Sequence, residues 1–167
     1  MSSGEHKAQA PASVACFTLT VSDTRTEATD TGGRAIRELL ERAGHTISGH
    51  LIVSDEPAAV TAVVRECLAD SKTQVVITTG GTGISARDTT FEAVTSLFDK
   101  RLDGFGELFR MISFDEIGSS AMMSRATAGT VGRKAIFVLP GSPAAVRLAM
   151  QRLIVPELGH IVQQLRK

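Results

Sequence analysis

The segment Thr78–Asp88 holds the residue types in this chain that are best suited to bind an anion. It follows the apolar run Val75–Ile77, carries three glycines within four positions and ends on Asp88. Glycine has no Cβ, so such a loop takes positive φ readily and lets several backbone N–H groups converge on a phosphate. The loop therefore predicts a phosphate-bearing ligand, and Asp88 predicts a metal-binding or acid–base role beside it. From spacing alone, a tight turn over Gly80–Gly83 explains the glycines nearly as well.

Two common nucleotide-binding patterns do not account for this loop. The spacing Gly81-x-Gly83-x-x-Ala86 formally matches a dinucleotide fingerprint. However, it follows the third predicted strand, and the acidic residue expected on a later strand end is missing. The Walker A pattern is absent as well. The loop by itself therefore does not identify the ligand.

Aspartates at other predicted strand ends could complete a phosphate site. We expect Asp55 and Asp88 to follow neighbouring strands, so their carboxylates could share a divalent cation that bridges phosphate oxygens. Simpler roles are also open, since Asp55 suits a helix N-cap and Asp23 suits a turn. For Asp88 the N-cap role is already filled, because Thr89 and Glu92 match a capping box.

Two further segments contain residues that could contact a ligand. Arg125 follows Ser124 just before a predicted strand, where its guanidinium could fork onto a phosphate, although a surface salt bridge is the commoner explanation. The segment Gly104–Gly106 places two glycines around a phenylalanine at a helix start, which indicates a close approach by a ligand or a partner chain. Glu107 and Arg110, on the same helix, are adequately explained by a solvated face.

Alternating strands and helices are predicted to position these loops. The hydrophobic patterns predict strands at Val14–Val21, Thr46–Val53, Gln74–Thr78, Ala126–Val131 and Lys134–Leu139. Helices are predicted at Gly33–Ala43, from Pro57, from the Thr89 capping box, around Phe105–Ile112, from Pro143 and after Pro156. Pro156 should kink or break the helix that contains it.

This order of elements indicates a single α/β domain of three layers, with a mostly parallel sheet and helices on both faces. Ligands of such sheets bind beyond the carboxyl ends of the strands. We therefore expect four polar or glycine-rich loops to meet at one rim: Ser22–Asp23, Ser54–Asp55, Gly80–Asp88 and Pro140–Ser142.

Length and composition favour one globular domain. The chain has 167 residues, 43% of them hydrophobic, and a formal net charge of zero, which disfavours nucleic acid and acidic membranes as partners. No apolar run approaches the roughly 20 residues that span a bilayer. Residues 1–12 lack the apolar core of a signal peptide, so we predict a disordered arm followed by a domain over residues 13–167. Cys16 and Cys67 are predicted to be reduced core residues, which favours a cytoplasmic protein.

Taken together, the motifs resemble the molybdenum cofactor biosynthesis family typified by MoaB and MogA, which also includes the G domain of gephyrin. The run Gly104–Gly118 is most similar to the MoaB branch. The resemblance covers about Val14 to Leu158, with six motifs in family order: Thr20–Asp23, Ser54–Glu56, Thr79–Gly83 with Arg87–Asp88, Gly104–Glu107, Ser124–Ala126 and Leu139–Pro143.

The resemblance implies a doubly wound domain that binds molybdopterin. It also implies AMP transfer from ATP to the terminal phosphate of molybdopterin, with Mg²⁺ bound and pyrophosphate released. The two catalytic aspartates of the family fall on Asp55 and Asp88, which would hold the Mg²⁺. Some MoaB-branch proteins lack an aspartate at the first position and are regarded as inactive; this chain keeps both. It departs from MogA-type members in having Ser54 where they usually have proline.

The resemblance further implies a set of ligand contacts and a homo-oligomer, either a trimer or a hexamer. We expect the Gly104–Glu107 segment, with Phe105, Leu108 and Phe109, to pack at a subunit interface. A rival interpretation is a molybdopterin-binding or scaffold protein of the MoaB branch without catalytic activity. The residues expected to contact molybdopterin or ATP are Ser22, Asp23, Gly80, Gly81, Thr82, Gly83, Glu107, Ser124, Arg125, Pro140, Gly141 and Ser142.

Overall fold

The structure is a computed structural model and describes residues 10–167. Residues 1–9, most of the predicted N-terminal arm, lie outside the described residues. At its described start the chain lies against the last helix. A Cβ built on Gly159 would meet the carbonyl oxygen of Pro11 at 2.7 Å. Among the described residues, no helix is both long enough and apolar enough to cross a membrane.

The described residues form a six-stranded sheet in the order β2-β1-β3-β6-β5-β4. Strands β2, β1, β3 and β6 pair in parallel, whereas β5 is antiparallel to both of its neighbours. The strands are β1 (Ala15–Val21), β2 (Thr46–Val53), β3 (Val75–Thr79), β4 (Lys100–Arg101), β5 (Thr127–Val131) and β6 (Lys134–Leu139). The predicted mostly parallel sheet is confirmed; the two-residue β4 is too short to leave a pattern in the sequence.

Helices cover both faces of this sheet. They are α1 (Thr31–Arg42), α2 (Pro57–Ala69), α3 (Thr90–Thr95), α4 (Asp103–Ile117), α5 (Pro143–Ala149) and α6 (Val155–Leu165). A 3₁₀ helix, Gly118–Met123, follows α4, and a π turn, Met150–Ile154, joins α5 to α6.

Successive residues of each central strand enter two different cores, because strand side chains alternate between faces. Ile77 of β3 belongs to the core that contains Ile36 of α1, whereas Val76 belongs to the core that contains Val60 of α2. Cys16 and Cys67 are both free and buried, one in each core, as predicted.

One expectation about the elements needs correction, and another takes a form that the sequence did not specify. Asp55 and Asp88 do not follow neighbouring strands, because the doubly wound topology places β1 between β2 and β3. At Pro156 the expected kink or break takes the form of a change in helix type, because α5 ends at Ala149, a π turn follows, and α6 begins at Val155. The chain changes its hydrogen bonding just before the proline, and the N–H of Val155 bonds to the carbonyl of Met150, five residues back. This wider turn accommodates a residue that has no N–H to donate.

Candidate functional site

The glycine loop between β3 and α3 has the backbone geometry of an anion-binding segment. Gly80 and Gly81 have φ values of 101° and 67°. The loop is held at both ends, because Gly80 donates its N–H to Leu139 and the Gly81 carbonyl accepts from Thr90. In contrast, the N–H groups of Gly81 and Thr82 donate to no acceptor among the described residues. Two backbone donors are therefore available for a ligand.

This loop forms one wall of a cleft of about 410 Å³, here called the main cleft. The strand-end segment Pro140–Ser142 faces it, and the Ser142 side chain accepts a hydrogen bond from Ala145 at the start of α5. The third wall comes from α4 and the 3₁₀ helix. It contributes Phe109, Ser113, Glu116, Ile117, Ser120 and Met123. The cleft therefore combines free backbone donors with an apolar surface large enough for a ring system.

Asp88 lines the main cleft and closes the glycine loop. Its Oδ2 accepts hydrogen bonds from both the N–H, at 3.1 Å, and the hydroxyl of Ser85. These bonds hold the pKa of the Asp88 carboxyl below its usual range, with a smaller contribution from Arg125, so the group is ionised at neutral pH. A Cβ on Gly83 would lie 2.5 Å from Asp88 Oδ2, so glycine leaves the room that this carboxylate occupies.

Asp55 reaches the same loop from the end of β2, but the residue is only 7% exposed and does not line the main cleft. Its Oδ1 accepts from the Thr89 hydroxyl at 3.2 Å. Its Oδ2 would lie 3.0 Å from a Cβ on Gly81. The N-cap explanation of Asp55 is wrong, because Glu56 occupies the N-cap of α2 and makes no side-chain cap bond.

The capping box predicted at the start of α3 is not formed, although the helix begins where the pattern placed it. Thr89 is the N-cap residue without a side-chain cap bond, since its hydroxyl binds Asp55 instead. Glu92 pairs with Arg125. Both side chains are drawn to charged partners from distant segments, and charge-assisted bonds are stronger than bonds to neutral backbone groups.

A network of charged side chains joins three of the strand-end loops. Arg87 donates to both carboxylate oxygens of Asp23, at 2.9 and 3.0 Å, and to Glu56 at 2.7 Å. Asp23 Oδ1 also accepts from the backbone N–H of Asp55. These bonds, Arg87 first, hold the pKa of the Asp23 carboxyl below its usual range. Asp23 therefore fixes the backbone that carries Asp55.

Arg125 contacts the glycine loop itself. Its Nε donates to the carbonyls of Thr82 and Gly83, at 3.2 and 3.0 Å, and another nitrogen donates to the Asp88 carbonyl at 3.1 Å. The guanidinium also pairs with Glu92, and this contact keeps the pKa of the Glu92 carboxyl below its usual range. The hydrogen-bonding and ion-pairing partners of Arg125 described here are therefore all groups of the protein itself.

The remaining predicted ligand residues fall in two other places. Ser22 and Gly80 line a smaller pocket of about 190 Å³ at the ends of β1 and β3, where the Ser22 hydroxyl accepts from the N–H groups of Thr24 and Arg25. Glu107 lines a third cleft, here called the side cleft, which is about 420 Å³ and also contains Arg125. Ser124 lines both the main and the side cleft.

The structure explains the glycine pair around Phe105 only in part. A Cβ on Gly106 would lie 2.8 Å from the carbonyl oxygen of Ala126, so the close approach there is by the chain's own backbone just before β5. Nothing lies within 4 Å of such an atom on Gly104. The predicted interface residue Phe109 is 1% exposed and belongs to the core, whereas Leu108 is exposed.

The donors near the glycine loop fit a Mg²⁺ ion that also binds phosphate. Within residues 10–167, no group of three or more His, Cys, Asp or Glu side chains could hold a metal ion alone. Mg²⁺, however, commonly uses one or two protein carboxylates and takes its remaining ligands from substrate phosphates and water. Asp55 and Asp88 flank a loop with free N–H donors, which matches that donor set.

Sequence reasoning missed Arg87, Glu56 and Thr89 as partners of the aspartates. The adjacent Arg87 and Asp88 are visible in the sequence, but Asp23, the partner of Arg87, lies 64 residues away. For Thr89, the local capping pattern concealed a bond to Asp55 across 34 residues. The apolar wall of the main cleft left no local signal, because its residues follow the same helical period as core residues.

Comparisons with known proteins add to this geometry. Residues 17–160 match the protein family described as "Probable molybdopterin binding domain". The chain is 54% identical to molybdenum cofactor biosynthesis protein B of Bacillus cereus, over 100% of this chain and 99% of that relative. A crystal structure of a molybdenum cofactor biosynthesis protein B has a TM-score of 0.92 at 54% identity, covering 95% of this chain and 99% of that one. The tungsten cofactor synthesizing protein MoaB from Pyrococcus furiosus has a TM-score of 0.85 at 37% identity, covering 95% and 100%.

Proposed function

Because this chain belongs to the molybdenum cofactor biosynthesis family of MoaB-type proteins, we propose that it binds molybdopterin and adenylylates it with Mg-ATP. One observation carries the proposal. An ionised Asp88 lines the main cleft beside the free N–H groups of Gly81 and Thr82. Free N–H donors favour a phosphate, and an adjacent carboxylate favours the divalent cation that accompanies a triphosphate.

In the proposed reaction, a terminal phosphate oxygen of molybdopterin attacks the α-phosphorus of ATP. The bond to the bridging oxygen breaks in line, and pyrophosphate leaves. Such a transfer needs positioning and charge neutralisation and no covalent enzyme intermediate. Mg²⁺, when bound by Asp55 and Asp88, supplies part of the neutralisation. Gly81 and Thr82 donate their N–H groups to phosphate oxygens.

A second candidate function is molybdopterin binding without transfer. The observation that favours it is the burial of Asp55, which is 7% exposed, accepts from Thr89 and does not line the main cleft. In that case Asp55 would hold the loop in shape and bind no metal. In the first candidate function Asp55 takes part in the chemistry. In the second it only stabilises the fold of the loop.

Pyrophosphate release from Mg-ATP, with and without molybdopterin, tests the proposal. We expect molybdopterin-dependent release by the wild-type chain. Asp88→Asn and Asp55→Asn should lower the rate by about 100-fold or more, the usual effect of losing one preorganised electrostatic group, while molybdopterin binding survives. Asp103→Asn is the matched control, since this exposed aspartate pairs with Arg101 away from the main cleft.

The outcomes separate the candidates. Saturable molybdopterin binding by the wild-type chain, without any pyrophosphate release, would favour the second candidate. Wild-type turnover in both aspartate variants would show that neither carboxylate has the proposed role. Loss of activity in Asp103→Asn alone would indicate that the reacting groups lie in the side cleft.

We further propose that the chain forms a homo-oligomer, a trimer or a hexamer. The support is an apolar stripe on α4 and the 3₁₀ helix, where large side chains are each at least 47% exposed: Leu108, Met111, Phe114, Ile117, Met122 and Met123. Exposed apolar patches of this kind commonly mark protein interfaces.

A further inference from the structure

The Arg125 guanidinium binds the glycine loop through its backbone carbonyls. It donates to the carbonyls of Thr82, Gly83 and Asp88, all within 3.2 Å. Arginine presents its N–H donors in a rigid planar fork, so a single side chain fixes several acceptors at once. These contacts connect the segment before β5 to the residue that carries one of the free backbone donors and to the part of the loop that follows it.

Fixing these carbonyls also sets the direction of the neighbouring N–H groups. In a trans peptide the C=O and N–H bonds of one unit point in opposite directions. With the Thr82 and Gly83 carbonyls turned toward Arg125, the N–H groups of Gly83 and Ile84 point away from it. The loop therefore has a carbonyl side that faces Arg125. On its other side, the Gly83 N–H is turned toward the Asp88 carboxylate, which lines the main cleft.

Arg125 and the glycines of the loop line different clefts. Arg125 lines the side cleft and does not line the main cleft, whereas Gly81, Thr82 and Gly83 line the main cleft. The loop thus stands between the guanidinium and the proposed ligand space. A phosphate in the main cleft would meet backbone N–H groups and not Arg125.

Arg125 is itself held in place by the start of α3. It pairs with Glu92, and its guanidinium carbon lies 5.0 Å from the centre of the Phe91 ring. Its side chain is only 27% exposed. An ion pair and a cation–π contact leave the guanidinium little freedom to swing toward another anion.

We infer that Arg125 is a positioning residue, which holds the backbone of the glycine loop in place beside the main cleft and does not contact the ligand itself. This replaces the expectation from sequence that Arg125 binds a phosphate. The inference deepens the proposed function and rests on it for the identity of the ligand. The state of the ligand-free loop does not depend on that function.

Amide hydrogen exchange of the ligand-free protein tests the inference directly. We expect Arg125→Met to speed exchange in residues 82–90 by about tenfold or more, because charge-assisted bonds to three carbonyls are lost. Arg125→Lys should give an intermediate increase, since an ammonium cannot reproduce the fork. Arg101→Met is the matched control. Arg101 lines the same side cleft but pairs with Asp103 and does not contact the loop.

Calorimetric titration with Mg-ATP provides the second measurement. Arg125→Met should weaken binding by about tenfold or more through loss of the preorganised loop, and Arg101→Met should not change it. Unchanged loop exchange together with weakened Mg-ATP binding would overturn the inference in favour of a direct phosphate contact. Unchanged exchange and unchanged binding would overturn it as well.

Two further controls keep the result interpretable. Exchange in α6 should be the same in all variants, which separates a local effect from general destabilisation. If Arg125→Met does not fold, Arg125→Lys and Glu92→Gln carry the same test. If the wild-type chain does not bind Mg-ATP, the proposed function fails, while the exchange experiment still decides the role of Arg125.

Discussion

At the scale of single residues, Gly81 shows how closely backbone and side chains are fitted at the glycine loop. Its φ of 67° is in the left-handed region. A Cβ there would lie 2.0 Å from the Thr90 hydroxyl oxygen and 3.0 Å from Asp55 Oδ2. The Thr90 hydroxyl is buried and makes no hydrogen bond among the described residues. Any side chain at position 81 would therefore have to displace the groups that surround Asp55.

Gly81→Ala should consequently cost more than backbone strain alone. Strain at positive φ costs about 1–2 kcal/mol, and the clash adds about 1–3 kcal/mol if the neighbours yield. Gly132→Ala is the matched control, because Gly132 has φ of 55° and nothing within 4 Å of a built Cβ. Urea unfolding and Mg-ATP titration compare the two variants. We expect Gly132→Ala to keep wild-type binding and Gly81→Ala to lose it. Equal effects of the two substitutions on Mg-ATP binding would show that binding does not depend on the packing around Asp55.

Some of the site residues could be predicted from the sequence, and others could not. Asp88 and the glycines were identified correctly as parts of one loop, because glycine spacing and the strand before it are local signals. The roles of Thr89 and Arg125 were not, because their partners lie 33 or more residues away in sequence. A local motif identifies a helix start but does not show which distant carboxylate competes for its hydroxyl.

At the scale of elements, the first turn of α1 is fixed by a buried carboxylate. Asp30 is the N-cap and is 2% exposed. Its two oxygens accept from the Gly33 N–H at 2.9 Å and from the Thr20 hydroxyl at 2.8 Å. The sequence pattern began this helix at Gly33 and missed the cap, since the apolar stripe that defined it starts only at Ile36.

Asp30→Ala should therefore destabilise the fold more than loss of an exposed cap. We expect about 2–4 kcal/mol, because a cap is lost and the buried Thr20 hydroxyl is left without its acceptor. Ser142→Ala, which removes an exposed cap bond of 3.5 Å, should cost about 0.5–1 kcal/mol. Urea denaturation of both variants measures the difference. A cost for Asp30→Ala no larger than that for Ser142→Ala would contradict the prediction.

The entrance to β1 depends on a neutral histidine. His45 Nδ1 accepts from the N–H of Val14 at 3.2 Å, a bond that requires an unprotonated nitrogen. Partial burial holds the pKa of His45 below its usual value of 6.5. Between these two pKa values the unfolded chain binds more protons than the folded chain. The contribution of His45 to stability is thus present above pH 6.5 and is lost as the pH falls through the folded-state pKa.

The free energy of unfolding, measured in urea at about pH 7.5 and about pH 5.5, should therefore fall on acidification in the wild-type chain. His45→Gln removes the titrating group and should reduce this fall. His50→Gln provides the comparison, since exposed His50 pairs with Glu27 and makes no side-chain hydrogen bond to β1 among the described residues. An identical pH dependence in wild type and His45→Gln would assign the effect to other groups.

Most of the elements could be predicted because their patterns are local. The bounds of β2 and β6 agree with the predicted ones, and α2 begins at Pro57. At Pro156 the sequence indicated a disturbance of the helix but not its form, because the loss of one N–H can be met by breaking the helix or by widening it. The packing of α5 and α6 onto one continuous core favours the wider turn, and packing between elements is not visible in the sequence.

At the scale of the whole molecule, the apolar stripe on α4 and the 3₁₀ helix is the feature that the fold of a single chain does not explain. Of the eight exposed large hydrophobic residues within the described part of the chain, six lie on this stripe. The other two are Leu51 on the edge strand β2 and Ile84 in the glycine loop. Net charge is zero, so little electrostatic repulsion opposes the meeting of two such stripes.

Light scattering at micromolar concentration should report a trimer or a hexamer of the 17.7 kDa chain. Phe114→Glu should shift the mass toward the monomer, because a buried, unpaired carboxylate costs several kcal/mol in an interface. Phe114 is the better choice over Ile117 or Met123, since those two line the main cleft and their loss would also affect ligand binding. Leu51→Glu is the matched control, placing the same charge on an exposed apolar residue outside the stripe. Only monomer in the wild type would refute the oligomer. Dissociation by Leu51→Glu but not by Phe114→Glu would move the interface from α4 to the β2 edge.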